Sequence, residues 1–181
     1  MISIKRFIAF LIIPFALSFG IVHADSRSEL DRDARVVLSQ LIASNESAKK
    51  LSEKAIATLV FPVVTKAGFI LGGQYGDGVL FKQGRPVAYY NTAGGSYGLQ
   101  AGAQQFGYVL FFMKESALSA LDSTQGFEVG VGPSVVLVDQ GAASSTTTIT
   151  AQDDIYAFIT AQKGVMAGLG IQGNKITKLA K

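Results

Sequence analysis

The chain contains no cysteine and no tryptophan, and its single histidine, His23, lies near the N-terminus. Beyond residue 24 there is therefore no thiolate nucleophile, no imidazole base and no side-chain set for a typical zinc site. Disulfides are excluded too, although exported proteins often use them, so stability must come from packing. Charge is scarce: 16% of residues are charged against 49% apolar, and the formal net charge is only +3. A nucleic-acid binder shows a clustered basic excess, and this chain has none.

Residues 1–24 have an order of their own. MISIKR is basic, residues 7–22 are apolar and interrupted by Pro14, and Val22-His23-Ala24 supplies the −3 and −1 positions of a cleavage site. This is the pattern of a secretory signal peptide, and the apolar stretch is short for a spanning helix. The expected product is one domain, residues 25–181, that is periplasmic or secreted. No cysteine follows the site, so lipoprotein processing is not expected. Lys5 and Arg6 leave with the signal, which lowers the formal charge by two.

Two amphipathic helices come first. Leu30, Ala34, Val37, Leu38 and Leu41 form one stripe over residues 26–44, and Ser26-x-x-Glu29 fits a capping box. Asn45 is placed to cap a second helix. Its apolar side is Ala48, Leu51, Ala55, Ile56 and Leu59, and its basic side is Lys49, Lys50 and Lys54. Pro62 and the β-branched residues around it then end helical structure.

From residue 59 the pattern changes to short strands. VFPVV, AGFILGGQY, VLF and VAYYN are separated by turn signals at Gly76-Asp77-Gly78 and Gln83-Gly84-Arg85-Pro86. GGSYGLQAGAQ (94–104) and YVLFFM follow, the latter typical of a strand covered on both faces. Residues 114–121 read as a short helix with Ala117, Leu118 and Leu121 inward. FEVGVG, SVVLVD, TTTIT and DDIYAFITAQ read as further strands. In the last, Tyr156, Phe158 and Thr160 face one way and Ile155, Ala157 and Ile159 the other. A turn at Lys163-Gly164 leads into VMAGLGIQG. The expected fold is α+β: an antiparallel, strand-rich sandwich or partly closed barrel, with two N-terminal amphipathic helices and one short internal helix.

The glycine-rich stretches invite a nucleotide reading that fails. Residues 168–173 match G-x-G-x-x-G, but no helix-length segment or acidic residue follows. GGQYGDG lacks the Lys-Ser/Thr end of a P-loop. In GGSYGLQAGAQ, alternation places Ser96, Gln100 and Gln104 on one flat polar face, a possible interaction surface. Glycines in a strand usually mark close backbone approach, a bulge or a bend.

Together these residues resemble the SYLF-domain family. The resemblance rests on Phe61-Pro62, Lys66-x-Gly68-Phe69, Gly72-Gly73, Tyr75-Gly76-x-Gly78 and Gly94-Gly95-Ser96-x-Gly98-x-Gln100-x-Gly102. LFFMKESALSALDS and IYAFITAQKGVMAGLGIQG also follow the family's order of elements. The resemblance covers most of residues 46–174 and implies lipid or membrane binding without catalysis or cofactor. Eukaryotic relatives bind phosphoinositides, and the yeast ones also actin. An exported protein would meet neither, so bacterial anionic phospholipid is the expected partner. Candidate lipid-binding residues are Lys49, Lys50, Lys54 and Lys66. The alternative is an envelope structural or protein-interaction module. An enzyme could draw a carboxylate pair from Asp77, Asp122, Asp139, Asp153 and Asp154, which occupy ordinary turn, helix-end and strand-start positions, or use a Ser–Lys dyad, to which no spacing points.

Overall fold

The computed structural model describes residues 22–123, 126–128, 133–138, 152–164 and 174–180. Helix α1 (Val22–Ser44) buries Ala34 and Leu41, with Leu30, Val37 and Leu38 packed beside them, so the predicted stripe is its core face. The helix already runs through Ser26, so that residue is not a cap and the capping box does not form. Helix α2 (Glu46–Lys54) is capped as expected: Asn45 Oδ1 accepts the Ala48 N–H at 2.9 Å. It stops at Lys54, and Leu59 belongs to the strand that follows.

That strand, β1 (Ala57–Lys82), and its partner β2 (Arg85–Phe112) form one long hairpin. Their register runs from Lys82↔Arg85 at the turn to Ala57↔Phe112 at the open end. Gln83 and Gly84 make the turn with φ of 50° and 72°, the positive-φ pair that two-residue hairpin loops favour. The separate strands expected from the sequence are thus fused. The glycines between them do not end the strands but let the ribbon bend.

Register breaks occur at Phe61/Val64, Gly68/Ile70 and Leu80/Phe81. Pro62, which has no N–H to donate, sits in the first. At the second, β1 advances from Gly68 to Ile70 while β2 runs from Gly98 to Gly102. Gly102 has φ of 147° there, a bulge conformation that side chains resist.

The ribbon doubles over at this point, so its two arms face each other. A Cβ on Gly78 would lie 2.5 Å from the Phe61 ring and 2.8 Å from the Val60 carbonyl. One on Gly76 would lie 2.7 Å from the Val63 carbonyl and 2.9 Å from Val64 Cγ2. Gly76-Asp77-Gly78 is therefore not a turn: it is mid-strand, and its glycines permit the arms to touch.

Helix α3 (Glu115–Leu121) buries Ala117, Leu118 and Leu121, as its spacing predicts. Strands β3 (Phe127–Glu128), β4 (Val135–Val138), β5 (Ile155–Gly164) and β6 (Lys175–Lys178) complete the described sheet. Its order is β3-β6-β2-β5-β4, with β1 also on β2. The fold is α+β, and the sheet curls into a half-barrel. One correction applies: β4 pairs with β5 in parallel, so the sheet is mixed. Its outer face packs on α1 and α2 through Val60, Val109, Phe111, Tyr156 and Phe158. Its inner face holds Phe61, Tyr108, Leu110, Phe112, Ile155 and Ala157. The predicted alternation of β5 is therefore correct. The strands expected at 146–150 and 165–173 lie outside the described residues.

Candidate functional site

Three of the four predicted lysines sit together. Lys49, Lys50 and Lys54 project from α2 into solvent, while Ala48 and Leu51 on its other side are buried. Lys50 approaches Glu46 at 3.8 Å, with both side chains about 70% exposed, a geometry that contributes little. Glu46 and Glu53 share the helix, so α2 carries one net positive charge. Its apolar side is committed to the protein's own core, which leaves amines without an insertable face.

The fourth lysine is elsewhere. Lys66 is only 8% exposed and lies directly across the hairpin from Gln104, which is 1% exposed. The expectation that both lie on a surface is corrected: strand alternation carries them inward with Val64 and Phe106, while Thr65 and Gln105 face out. The bulge at residues 98–102 breaks the alternation that had linked Gln104 with Ser96 and Gln100. The side chains of those two residues lie outside the described set.

Lys66 and Gln104 form a polar row on one arm of the ribbon. The facing arm carries another. Gln74 is paired with Gly94, and a Cβ on Gly94 would collide with the Asn174 carboxamide oxygen, so Gln74, Gly94 and Asn174 lie side by side. The neighbouring row is Gly76, Thr92 and Ile176. Gly76 touches Val64 across the gap. Gln74 and Lys66, each two residues nearer the bend, are thereby brought opposite one another. Gln74, Thr92 and Asn174 are all buried.

This layer is under-satisfied. Thr92 Oγ1, Asn174 Nδ2 and both carboxamide atoms of Gln104 have no hydrogen-bond partner among the described residues. Tyr108, stacked on Phe61 at 5.9 Å on the same face, has an unpartnered hydroxyl whose pKa burial pushes far up. Such atoms normally find partners when buried. Sequence reasoning missed Gln74, Thr92, Tyr108 and Asn174, because only the bulged register shows that they share an interior.

The carboxylates considered for catalysis are dispersed into structural roles. Asp77 accepts from Asn91 at 3.0 Å. Asp122 accepts from Tyr90 and Lys178 at 2.6 and 2.8 Å. Asp153 accepts from Tyr156, and Asp154 pairs with Lys114 at 2.8 Å. Asp139 lies outside the described residues.

A family profile described as Ysc84, Las17-binding protein actin regulator, matches residues 93–181. Residues 93–181 are thus similar to the SYLF-domain family, consistent with the resemblance read from the sequence. The match takes in most of β2 and the whole chain after it, including Gln104, Tyr108 and Asn174. The SYLF domain is a binding type of domain rather than a known enzyme. No curated protein matches the chain.

Proposed function

We propose that this SYLF-like domain is a non-catalytic lipid-binding protein of the bacterial envelope, acting on surfaces rich in anionic phospholipid after export through its N-terminal signal. The supporting observation is the exposed Lys49, Lys50 and Lys54 cluster on a helix whose apolar side is buried. Docking of this kind is electrostatic. A juxtamembrane basic residue contributes about 1 kcal/mol, and one net charge on α2 makes the attraction weak and salt-sensitive. Among the described residues, no helix is long and apolar enough to cross a membrane.

The test is flotation of the purified protein with phosphatidylglycerol vesicles against phosphatidylcholine, at low and high salt. Binding confined to phosphatidylglycerol, lost at high salt and in a Lys49→Glu, Lys50→Glu, Lys54→Glu variant, is the expected result. Salt-insensitive binding, or none, would direct attention to a protein partner, the class of ligand named in the family's description.

A further inference from the structure

We infer that the outward face of the sheet around Tyr75, where β1, β2 and β6 lie side by side, is a binding platform for a neutral saccharide chain. The inference goes beyond lipid docking and does not depend on the lysine face of α2.

The platform follows from strand alternation and register. Tyr75 and Asp77 point outward from β1, while Gln74, Gly76 and Gly78 beside them are buried. Across the hairpin, Tyr75 meets Ala93 and Asp77 meets Asn91. On the far side of β2, Ala93 pairs with Lys175 and Asn91 with Thr177 of β6. Two outward rows therefore lie next to each other, Tyr75–Ala93–Lys175 and Asp77–Asn91–Thr177. Helix α1 covers the following row, where Arg27 stacks on Tyr89. Tyr75 is left 58% exposed, the most of any large hydrophobic side chain among the described residues.

The ring is held in place. Residues two apart on a strand are separated by about 7 Å, the reach of a tyrosine laid along it. Partial burial, and then the charge and hydrogen bond of the Asp77 carboxylate, raise the pKa of the Tyr75 hydroxyl. The hydroxyl is thus directed along β1 toward Asp77. Asp77 is fixed in turn, because Asn91 Nδ2 donates to its carboxylate at 3.0 Å and to the Gly76 carbonyl at 3.1 Å. A ring presented this way has less side-chain freedom to lose on binding. Beside it, Ala93 is a low, exposed floor. Lys175, about 10 Å from Tyr75 across two strands, leans away from that floor, its Cε 2.9 Å from where a Cβ on Gly126 would lie.

The chemistry of these groups selects the ligand. The tyrosine ring offers an apolar surface to the C–H side of a sugar. Asp77 and the Asn91 carboxamide oxygen accept hydrogen bonds, and the Thr177 hydroxyl donates and accepts, which suits sugar hydroxyls that do both. Asp77 on one side repels an anion and Lys175 on the other repels a cation, so a neutral ligand is favoured. Stability does not account for the ring, because a side chain this exposed buries little apolar surface.

The test titrates the full folded protein with cellotetraose and, separately, with N-acetylchitotetraose, both neutral. NMR follows the Tyr75 ring signals and the Asn91 side-chain amide. Saturable shifts of both groups are expected with at least one sugar. Shifts with cellotetraose assign the platform to the sugar ring itself, and shifts with the acetylated sugar alone add the acetamido group to what is recognised.

Tyr75→Ala should weaken binding about tenfold, while Tyr75→Phe, which keeps the ring, should retain most of it. If Tyr75→Ala does not fold, Ala93→Leu serves: it fills the floor at an exposed position and should block binding. These variants should leave flotation with phosphatidylglycerol unchanged, and the triple lysine variant of α2 should leave sugar binding unchanged, so the two readings fail separately. No saturable shift with either sugar would overturn the inference. So would undiminished binding by Tyr75→Ala or Ala93→Leu, or the same shifts with choline, which would make the ring a cation site.

Discussion

A methyl group added at Gly78 and one added at Gly95 would meet opposite surroundings. The first enters the Phe61 ring and the Val60 carbonyl, and the second meets no atom within 4 Å. Overpacking of a close contact costs on the order of 1–3 kcal/mol, so Gly78→Ala should lower the urea midpoint by that equivalent while Gly95→Ala leaves it nearly unchanged. A second residue-scale effect concerns Asp122. The hydrogen bond from Lys178, with that from Tyr90, holds its carboxyl below the usual range, while burial and Asp122 push the Tyr90 hydroxyl up. A carboxyl with a depressed folded pKa binds its proton less readily when folded. Its contribution is therefore complete above the unfolded value of about 4 and is lost as pH falls through the folded value. Asp122→Asn should reduce the gap between urea midpoints measured at pH 7 and pH 2.5. Asp154, lowered by Lys114, acts in the same direction, so some acid sensitivity will remain.

The elements that the sequence announced are those whose signals are local. Asn45 capping α2, the stripe of α1, the inward face of α3 and the alternation of β5 all depend on residues a few positions apart. Asn45→Ala should cost about 0.5–2 kcal/mol and speed amide exchange in residues 48–54, measured by hydrogen exchange, before it affects the sheet. What was not legible depends on distant partners. Gly76-Asp77-Gly78 has the composition of a turn, but it is a strand paired with Tyr90–Thr92 of β2, and its glycines answer to the closeness of Phe61 and Val64. The parallel pairing of β4 on β5 leaves no mark in four apolar residues. Lys66 and Gln104 look like surface residues because charge and polarity usually are; their burial follows from a register that two extra residues at a bulge decide. The lysines of α2 were legible as exposed, but the lack of an insertable apolar face was not, since that depends on what the sheet presents to the helix.

At the scale of the molecule, β2 is the common strand. It pairs with β1 along its length, with β5 over residues 104–112 and with β6 over residues 90–93. The bent ribbon is therefore held at both ends of one strand, and the polar layer lies where its arms converge. The hairpin also orders events in time. Lys82 and Arg85 are three residues apart in the chain, whereas Ala57 and Phe112 are fifty-five apart. Loop closure becomes costlier with separation, so pairing should begin at Gln83-Gly84 and proceed outward, and β5 and β6 must wait for a β2 to which they can add. Gly84→Val, which forces a side chain into a φ of 72°, should then slow refolding in stopped-flow experiments with little change in the unfolding rate. Leu59→Ala, at the far end, should instead accelerate unfolding and leave refolding nearly as fast. The same turn that ends the shortest loop in the sheet thus becomes the clock that starts its assembly.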